Sequence, residues 1–180
     1  MITLETNRLI LRDWEYTDVN DMYEYAKNPK IGFGAGWKPH ESIEESKKII
    51  KGFIENNDVW AIYSKDAKKV IGSIGLHRDK LRETDGINAK NLGYVLSEEF
   101  WGQGLIAEAC REIIFYVFEE LEIDVLSVNH FSTNEKSKRV IEKLGFKYEG
   151  TIRKAGINPC DGSIYDNVIY SITKEDYFGE

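Results

Sequence analysis

Apolar positions alternate with polar ones, or recur at helical spacing, in an orderly series along the chain. Leu9-Ile10-Leu11-Arg12 reads as a strand, and the spacing over residues 17–27 predicts a helix. Ser42 followed by Glu45 makes an S-x-x-E capping box, which starts a helix running towards Asn56. Residues 59–63 and 70–76 read as a hairpin of two strands, and 91–96 as another strand. Ile106, Ala109, Cys110, Ile113, Val117 and Leu121 then fall on one face of a long helix. A strand over 125–130, a helix over 135–144 and strands over 146–153 and 165–173 complete the series. Three stretches break the pattern: 31–40, with three glycines and a proline, 79–89, and 158–162. The first reads as a loop between helices. No linker or repeat divides residues 1–180, so one α+β domain is expected, a mixed sheet covered by helices.

Composition narrows the class of partner. Hydrophobic residues make up 42% of the 180 and charged residues 31%, as in an ordinary globular domain. Lys and Arg total 24 against 31 Asp and Glu, a net charge of −7. That balance disfavours nucleic acid, which needs a basic surface, and suits a cationic or amine substrate. The longest apolar runs, such as Ile113-Ile114-Phe115-Tyr116-Val117-Phe118, are too short to span a bilayer, so no membrane partner is expected. The opening Met1-Ile2-Thr3-Leu4-Glu5 carries no basic region followed by an apolar stretch, so no secretory signal is expected. Cys110 and Cys160 read as two free thiols in a reducing cytoplasm.

The strongest chemical feature is Phe100-Trp101-Gly102-Gln103-Gly104, between a strand and a helix. A helix N-terminus has unpartnered backbone N–H groups and partial positive charge. Glycines ahead of it let an anion approach those groups, although two glycines also suit a plain tight turn. A Walker A loop is excluded, because Leu105-Ile106 follows where Lys and Ser or Thr belong. A dinucleotide fingerprint is permitted by Ala107, but it belongs at the first βαβ unit and needs a ribose-binding acid further on; neither fits cleanly here.

Taken with two further segments, the loop resembles that of the GNAT superfamily of N-acetyltransferases, in particular the branch of the RimJ and RimL ribosomal-protein N-terminal acetyltransferases. The likeness begins with Glu5-Thr6-Asn7-Arg8-Leu9-Ile10-Leu11-Arg12. It continues with Leu92-Gly93-Tyr94-Val95-Leu96 and Phe100-Trp101-Gly102-Gln103-Gly104-Leu105-Ile106-Ala107-Glu108-Ala109. It ends with the run from Asn134 through Ser137 to Leu144-Gly145-Phe146. The resemblance implies a mixed, mostly antiparallel sheet of six to seven strands, about four helices, and a splayed central strand pair. It implies acetyl-CoA as cofactor, its pyrophosphate on Gly102, Gln103, Gly104, Leu105, Ile106 and Ala107. The pantetheine arm would lie along Tyr94, Val95 and Leu96. Asn134 would bond that arm or cap its helix, and Ser137 would stand near the thioester sulfur. Asn134 and Ser137 are three residues apart and so share the first helical turn.

The sequence also departs from the family. Position 141, where many members carry a tyrosine acid, is Ile, so Ser137 or a water would protonate the leaving thiolate. Asn91 stands where the branch often has an acid, and it can orient a water but not act as a base. Ile106 occupies a position that is usually small. Histidine titrates near neutrality, so His40, His77 and His130 are all candidates for handling the amine proton. His77 and His130 end strands. His40 and Trp37 lie in the glycine-rich stretch where the family contacts its acceptor, Trp37 as a pocket wall or as core. Glu99 and Glu108 read as solvated. The expected reaction is direct attack of a primary amine on acetyl-CoA, by a monomer or a homodimer and without a metal. The acceptor is a protein N-terminus, or alternatively an antibiotic or polyamine; a non-catalytic CoA sensor is the third reading.

Overall fold

In the computed structural model, which describes residues 1–82 and 84–179, the hydrophobic pattern folds into one central sheet with helices on both faces. Its strands are β1 (Leu4–Glu5), β2 (Leu9–Arg12), β3 (Val59–Ser64), β4 (Lys69–Arg78), β5 (Ala89–Leu96), β6 (Val125–Phe131), β7 (Lys147–Ile157) and β8 (Ile164–Thr173). The helices are α1 (Val19–Ala26), α2 (Pro29–Ala35), α3 (Ile43–Asn56), α4 (Leu105–Phe115), α5 (Glu135–Lys143) and α6 (Lys174–Phe178). The sheet order is β1-β2-β3-β4-β5-β6-β8-β7. All neighbours are antiparallel except β5 and β6. The mixed, mostly antiparallel architecture is the expected one. The counts are corrected upwards among the described residues, from six or seven strands to eight and from about four helices to six.

Two of the extra elements have local causes. The stretch read as a loop from residue 31 is helical as far as Ala35, the end of α2. Asn28 caps it, accepting from the Lys30 N–H at 3.0 Å, and Pro29 sits at its first position, where a missing N–H costs nothing. Gly36 ends it at φ 80°, in the left-handed region that glycine adopts without strain. At the other end of the chain, Thr173 and Asp176 form a reciprocal capping box for α6.

The long helix is also shorter than its apolar spacing suggests. After Phe115 the backbone enters a π turn over Tyr116–Glu120. The wider turn shifts the helical phase: Phe118 is fully buried, and Leu121, which should face the core, is 39% exposed. The rest of the expected face, Ile106, Ala109, Cys110, Ile113 and Val117, is buried as read. The connection over 79–88 matches the predicted break, with Glu83 outside the described residues.

Two apolar cores lie on opposite faces of the sheet. Leu92, Leu96, Leu126, Val128 and Tyr170 pack with α4 and with Ile141 of α5. Ala61, Val70 and Tyr63 pack with residues of α1, α2 and α3. Arg12 ties the start of the second layer to the sheet through two bonds of 2.8 Å to the buried Asp18 carboxylate. No helix among the described residues is long and apolar enough to cross a membrane.

Candidate active site

The parallel pair β5–β6 sets the geometry of the site. Their pairing runs from Ala89 with Val125 to Leu92 with Val128 and stops there. On its other side β5 stays paired to β4 as far as Leu96, and β6 continues along β8 to Phe131. Over Gly93–Leu96 the edge of β5 that faces β6 therefore has no strand partner, and a V opens between the two. A cavity of about 910 Å³ fills it. Side chains alternate along strands, so residues from both faces of the sheet line this cavity. Tyr94 and His130 belong to the α4/α5 face; His77, Asn91, Gly93 and Asn129 belong to the opposite face, with the α2 side of the cavity.

At the mouth of the V, Gly102 and Gly104 have φ of 76° and 77°, and Gly104 is the residue before α4. A side chain at either would be strained, and nothing lies within 4 Å of the space a Cβ at Gly102 would fill. The first N–H groups of α4 thus face an open cradle lined by Gly102, Gly104, Leu105, Ile106 and Ala107. Arg139, Lys143 and Lys136 of α5 line the same cavity, and the Lys136 ammonium sits 3.6 Å from the Trp101 ring centre. These cations fit a ligand bearing phosphates, and they are the residues that motif reading missed. The helical spacing of 136, 139 and 143 was the available signal.

Glu108 is corrected from a solvated acid to a tether. It accepts from the Thr6 hydroxyl (2.6 Å), the Arg8 N–H (2.9 Å) and Arg8 Nε (2.7 Å), while another Arg8 nitrogen donates to the Gln103 carbonyl. This cluster fixes the glycine loop to the start of β2. Burial raises the Glu108 carboxyl, but the bonds from Thr6 and Arg8 outweigh it and hold the group below its usual range. A carboxyl depressed in the fold stabilises above its unfolded pKa and loses that contribution as pH falls through the folded value. Glu108→Gln should therefore flatten the fall in stability between about pH 5 and 3, as read from melting temperature against pH. An unchanged slope would remove Glu108 from the account. Glu99, the other acid read as solvated, pairs with Lys69 at 2.9 Å.

The remaining candidates divide. The Asn134 side chain caps α5 by accepting from the Ser137 N–H (3.2 Å) and donates to the Gly34 carbonyl (3.2 Å), tying α5 to α2. Ser137 turns its hydroxyl to the Tyr94 hydroxyl at 2.8 Å. Burial pushes the Tyr94 phenol well up, so it stays protonated at neutral pH. Asn91 donates to Ser127 Oγ (2.9 Å) and to Asn129 (3.2 Å). His40 faces Ser46 at 2.8 Å rather than the cavity, and burial lowers its pKa. Trp37 does line the cavity, with its ring 5.3 Å from that of His40. His130 and His77 lie on opposite faces of the sheet, and both line the cavity. His130 is buried, with Nδ1 2.8 Å from the Phe131 carbonyl. Cys110 is buried in the core and burial raises its thiol; Cys160 approaches the Trp37 carbonyl at 3.1 Å and is raised too. Neither has the environment of an activated nucleophile. Among the described residues no cluster of His, Cys, Asp or Glu could hold a metal ion.

Known proteins share this arrangement. Residues 8–147 match the acetyltransferase (GNAT) domain. The chain is 32% identical over 178 residues to the uncharacterized N-acetyltransferase YoaA of Bacillus subtilis strain 168, across 95% of this chain and 96% of that one. It is 40% identical over 110 residues to the putative ribosomal N-acetyltransferase YdaF of the same strain, across 61% of this chain and 56% of that one. Its fold superposes with a TM-score of 0.81 on RimL, a ribosomal L7/L12 alpha-N-protein acetyltransferase solved with coenzyme A, covering 97% of this chain and 99% of that one at 19% identity. The family match over most of the chain and the strand splay beside a glycine-opened helix agree: the chain belongs to the GNAT family and is an acetyl-CoA-dependent N-acetyltransferase.

Proposed function

We propose that the acceptor is the α-amino group of a protein N-terminus, as in the RimJ/RimL branch, and that it attacks the acetyl group directly in a ternary complex. The observation that carries this is the V after Leu92 and Val128, whose cavity is lined from both faces of the sheet. Donor and acceptor then enter from opposite sides and meet at Gly93–Leu96, with no need for an acyl-enzyme. The α2 side of the cavity, walled by Trp37 and Phe131, is where a peptide end would enter. The name of YdaF, a putative ribosomal acetyltransferase, supports a protein acceptor. The free thiols of Cys110 and Cys160 suit the cytoplasm, where ribosomal proteins are made.

In this reading the N–H groups of Gly102–Ala107 hold the pyrophosphate, assisted by Arg139 and Lys143. The unpaired edge of Tyr94, Val95 and Leu96 takes the pantetheine arm as an added strand and polarises the thioester carbonyl. The paired hydroxyls of Tyr94 and Ser137 donate a proton towards the leaving sulfur, the task that Ile141 cannot perform. Asn134 acts through its cap and its bond to Gly34, holding Ser137 in place.

Thiol release with acetyl-CoA and a panel of N-terminally free peptides, aminoglycosides and polyamines tests the acceptor. Turnover with peptides is expected. Turnover confined to small amines would overturn the protein-acceptor reading, and acetyl-CoA binding without thiol release would favour a sensor. Ser137→Ala should lower turnover by at least about tenfold while acetyl-CoA affinity changes little. Equal losses in both would reassign Ser137 to binding.

A further inference from the structure

Asn91 leaves the strand position nearest the splay without a base, but the register of the sheet brings another group there. His77 of β4 pairs with Asn91 of β5, and Gly75 pairs with Gly93 on the same face. These two facing glycines leave a depression in which the His77 ring lies. A Cβ on Gly75 would stand 2.9 Å from His77 Nε2, and one on Gly93 would stand 3.4 Å from it. Gly93 is the first residue of β5 beyond its pairing with β6, so Nε2 lies at the apex of the V. The other ring nitrogen, Nδ1, is 3.2 Å from Asp58 Oδ2, on the turn before β3. The Asp58 main chain is fixed, because its carbonyl accepts the Leu76 N–H at 2.9 Å.

We propose that His77 is the base of the transfer reaction and that Asp58 is its positioning residue. This rests on the acetyl-transfer reading of the same cavity. A carboxylate at Nδ1 fixes that nitrogen as the one bearing hydrogen and leaves the lone pair on Nε2, the logic by which an acid orients a catalytic imidazole. The Nε2 lone pair faces the cavity at Gly93. As the acceptor nitrogen bonds to the acetyl carbon, the C–S bond breaks and its electron pair leaves on sulfur. Nε2 takes the proton shed by the amine, and the Asp58 carboxylate stabilises the imidazolium that forms. The sulfur receives its proton from the Tyr94–Ser137 pair, and both sites then exchange with solvent. His130 lies on the opposite face, with its ring 5.7 Å from that of Tyr170.

The charged neighbours of His77 are few. Asp58 faces it directly, and Asn91 is its neutral cross-strand partner. Arg78 and Lys90, adjacent in the two strands, alternate to the other face of the sheet.

The test has two arms. The imidazole ¹⁵N shifts of the free protein, which need no acceptor, should report His77 with hydrogen on Nδ1, and Asp58→Asn should disturb that state. A wild-type His77 with hydrogen on Nε2 would overturn the proposal. In the kinetic arm, His77→Gln should lower kcat about 100-fold or more with acetyl-CoA Kd unchanged. Asp58→Asn should lower kcat as well, again with acetyl-CoA Kd unchanged, and Asp58→Glu, which restores a carboxylate, should recover part of the loss. A purely structural contact would not be rescued by a carboxylate in this way. Wild-type kcat in His77→Gln would overturn the proposal while the transferase reading stands. Absence of thiol release from wild type with every acceptor, despite the expected tautomer, would overturn the transferase reading and the role together.

Discussion

Gly104→Val should raise the Kd for acetyl-CoA by 100-fold or more, measured by calorimetric titration, with a fold that remains cooperative. Two effects add. Gly104 sits at φ 77° before α4, where a β-branched residue is strained by about 1–3 kcal/mol. The loop relieves that strain by moving the N–H groups that should converge on phosphate. The side chain also stands in the cradle itself, where the nearest neighbour of an added Cβ is Arg8 at 3.9 Å. A 100-fold loss corresponds to about 2.7 kcal/mol, the scale of one or two charge-assisted bonds. Gly86→Val separates the causes. Gly86 has φ of 88° and open space around it, but it lies in the 79–88 connection, outside the cavity. It should lose similar stability and keep its affinity. If both variants bind acetyl-CoA as wild type does, the glycine loop is only a turn.

The glycine loop was legible because its signal is local: two glycines and a helix start, with the dinucleotide alternative set aside by the loop's place in the chain. The hairpin of β3 and β4 was legible for the same reason, since two short apolar runs joined by polar residues show in a short window. What failed needed contacts across the chain. Asp58 and His77 are 19 residues apart, and they meet only because β3 and β4 pair in one register; a slip of one residue would turn His77 to the opposite face. Glu108 looked solvated on α4, yet its partners Thr6 and Arg8 lie about 100 residues upstream. The Tyr94–Ser137 pair likewise joins β5 to α5. For α2, glycine content outweighed the start and stop signals that Asn28, Pro29 and Gly36 supplied. The ligand-binding backbone was therefore readable from the sequence, as were Ser137 and His77 as candidates for proton transfer; their pairing with Tyr94 and Asp58 was not, because sheet register and helix docking decide which side chains meet.

That dependence on register makes Gly72 the most sensitive position outside the cavity. Gly72 of β4 pairs with Leu96 of β5, next to the irregularity in the β3–β4 register between Ile62 and Tyr63. A Cβ there would lie 2.2 Å from the Val95 carbonyl oxygen and 3.1 Å from Leu96 Cα. Both obstacles are backbone, so no rotamer change relieves them; β4 and β5 must separate. Gly72→Ala should cost about 3 kcal/mol, lowering the melting temperature by roughly 10 °C. The functional loss should exceed the stability loss. The strand pushed aside carries Tyr94, Val95 and Leu96, the edge assigned to the pantetheine arm and the thioester carbonyl. At a temperature where the variant is fully folded, kcat/KM for acetyl-CoA should still fall by about 100-fold, because small displacements of positioning groups carry penalties of that size. Wild-type kcat/KM in a folded Gly72→Ala protein would mean that the β5 edge is not where the donor lies, and would direct attention to β6 instead.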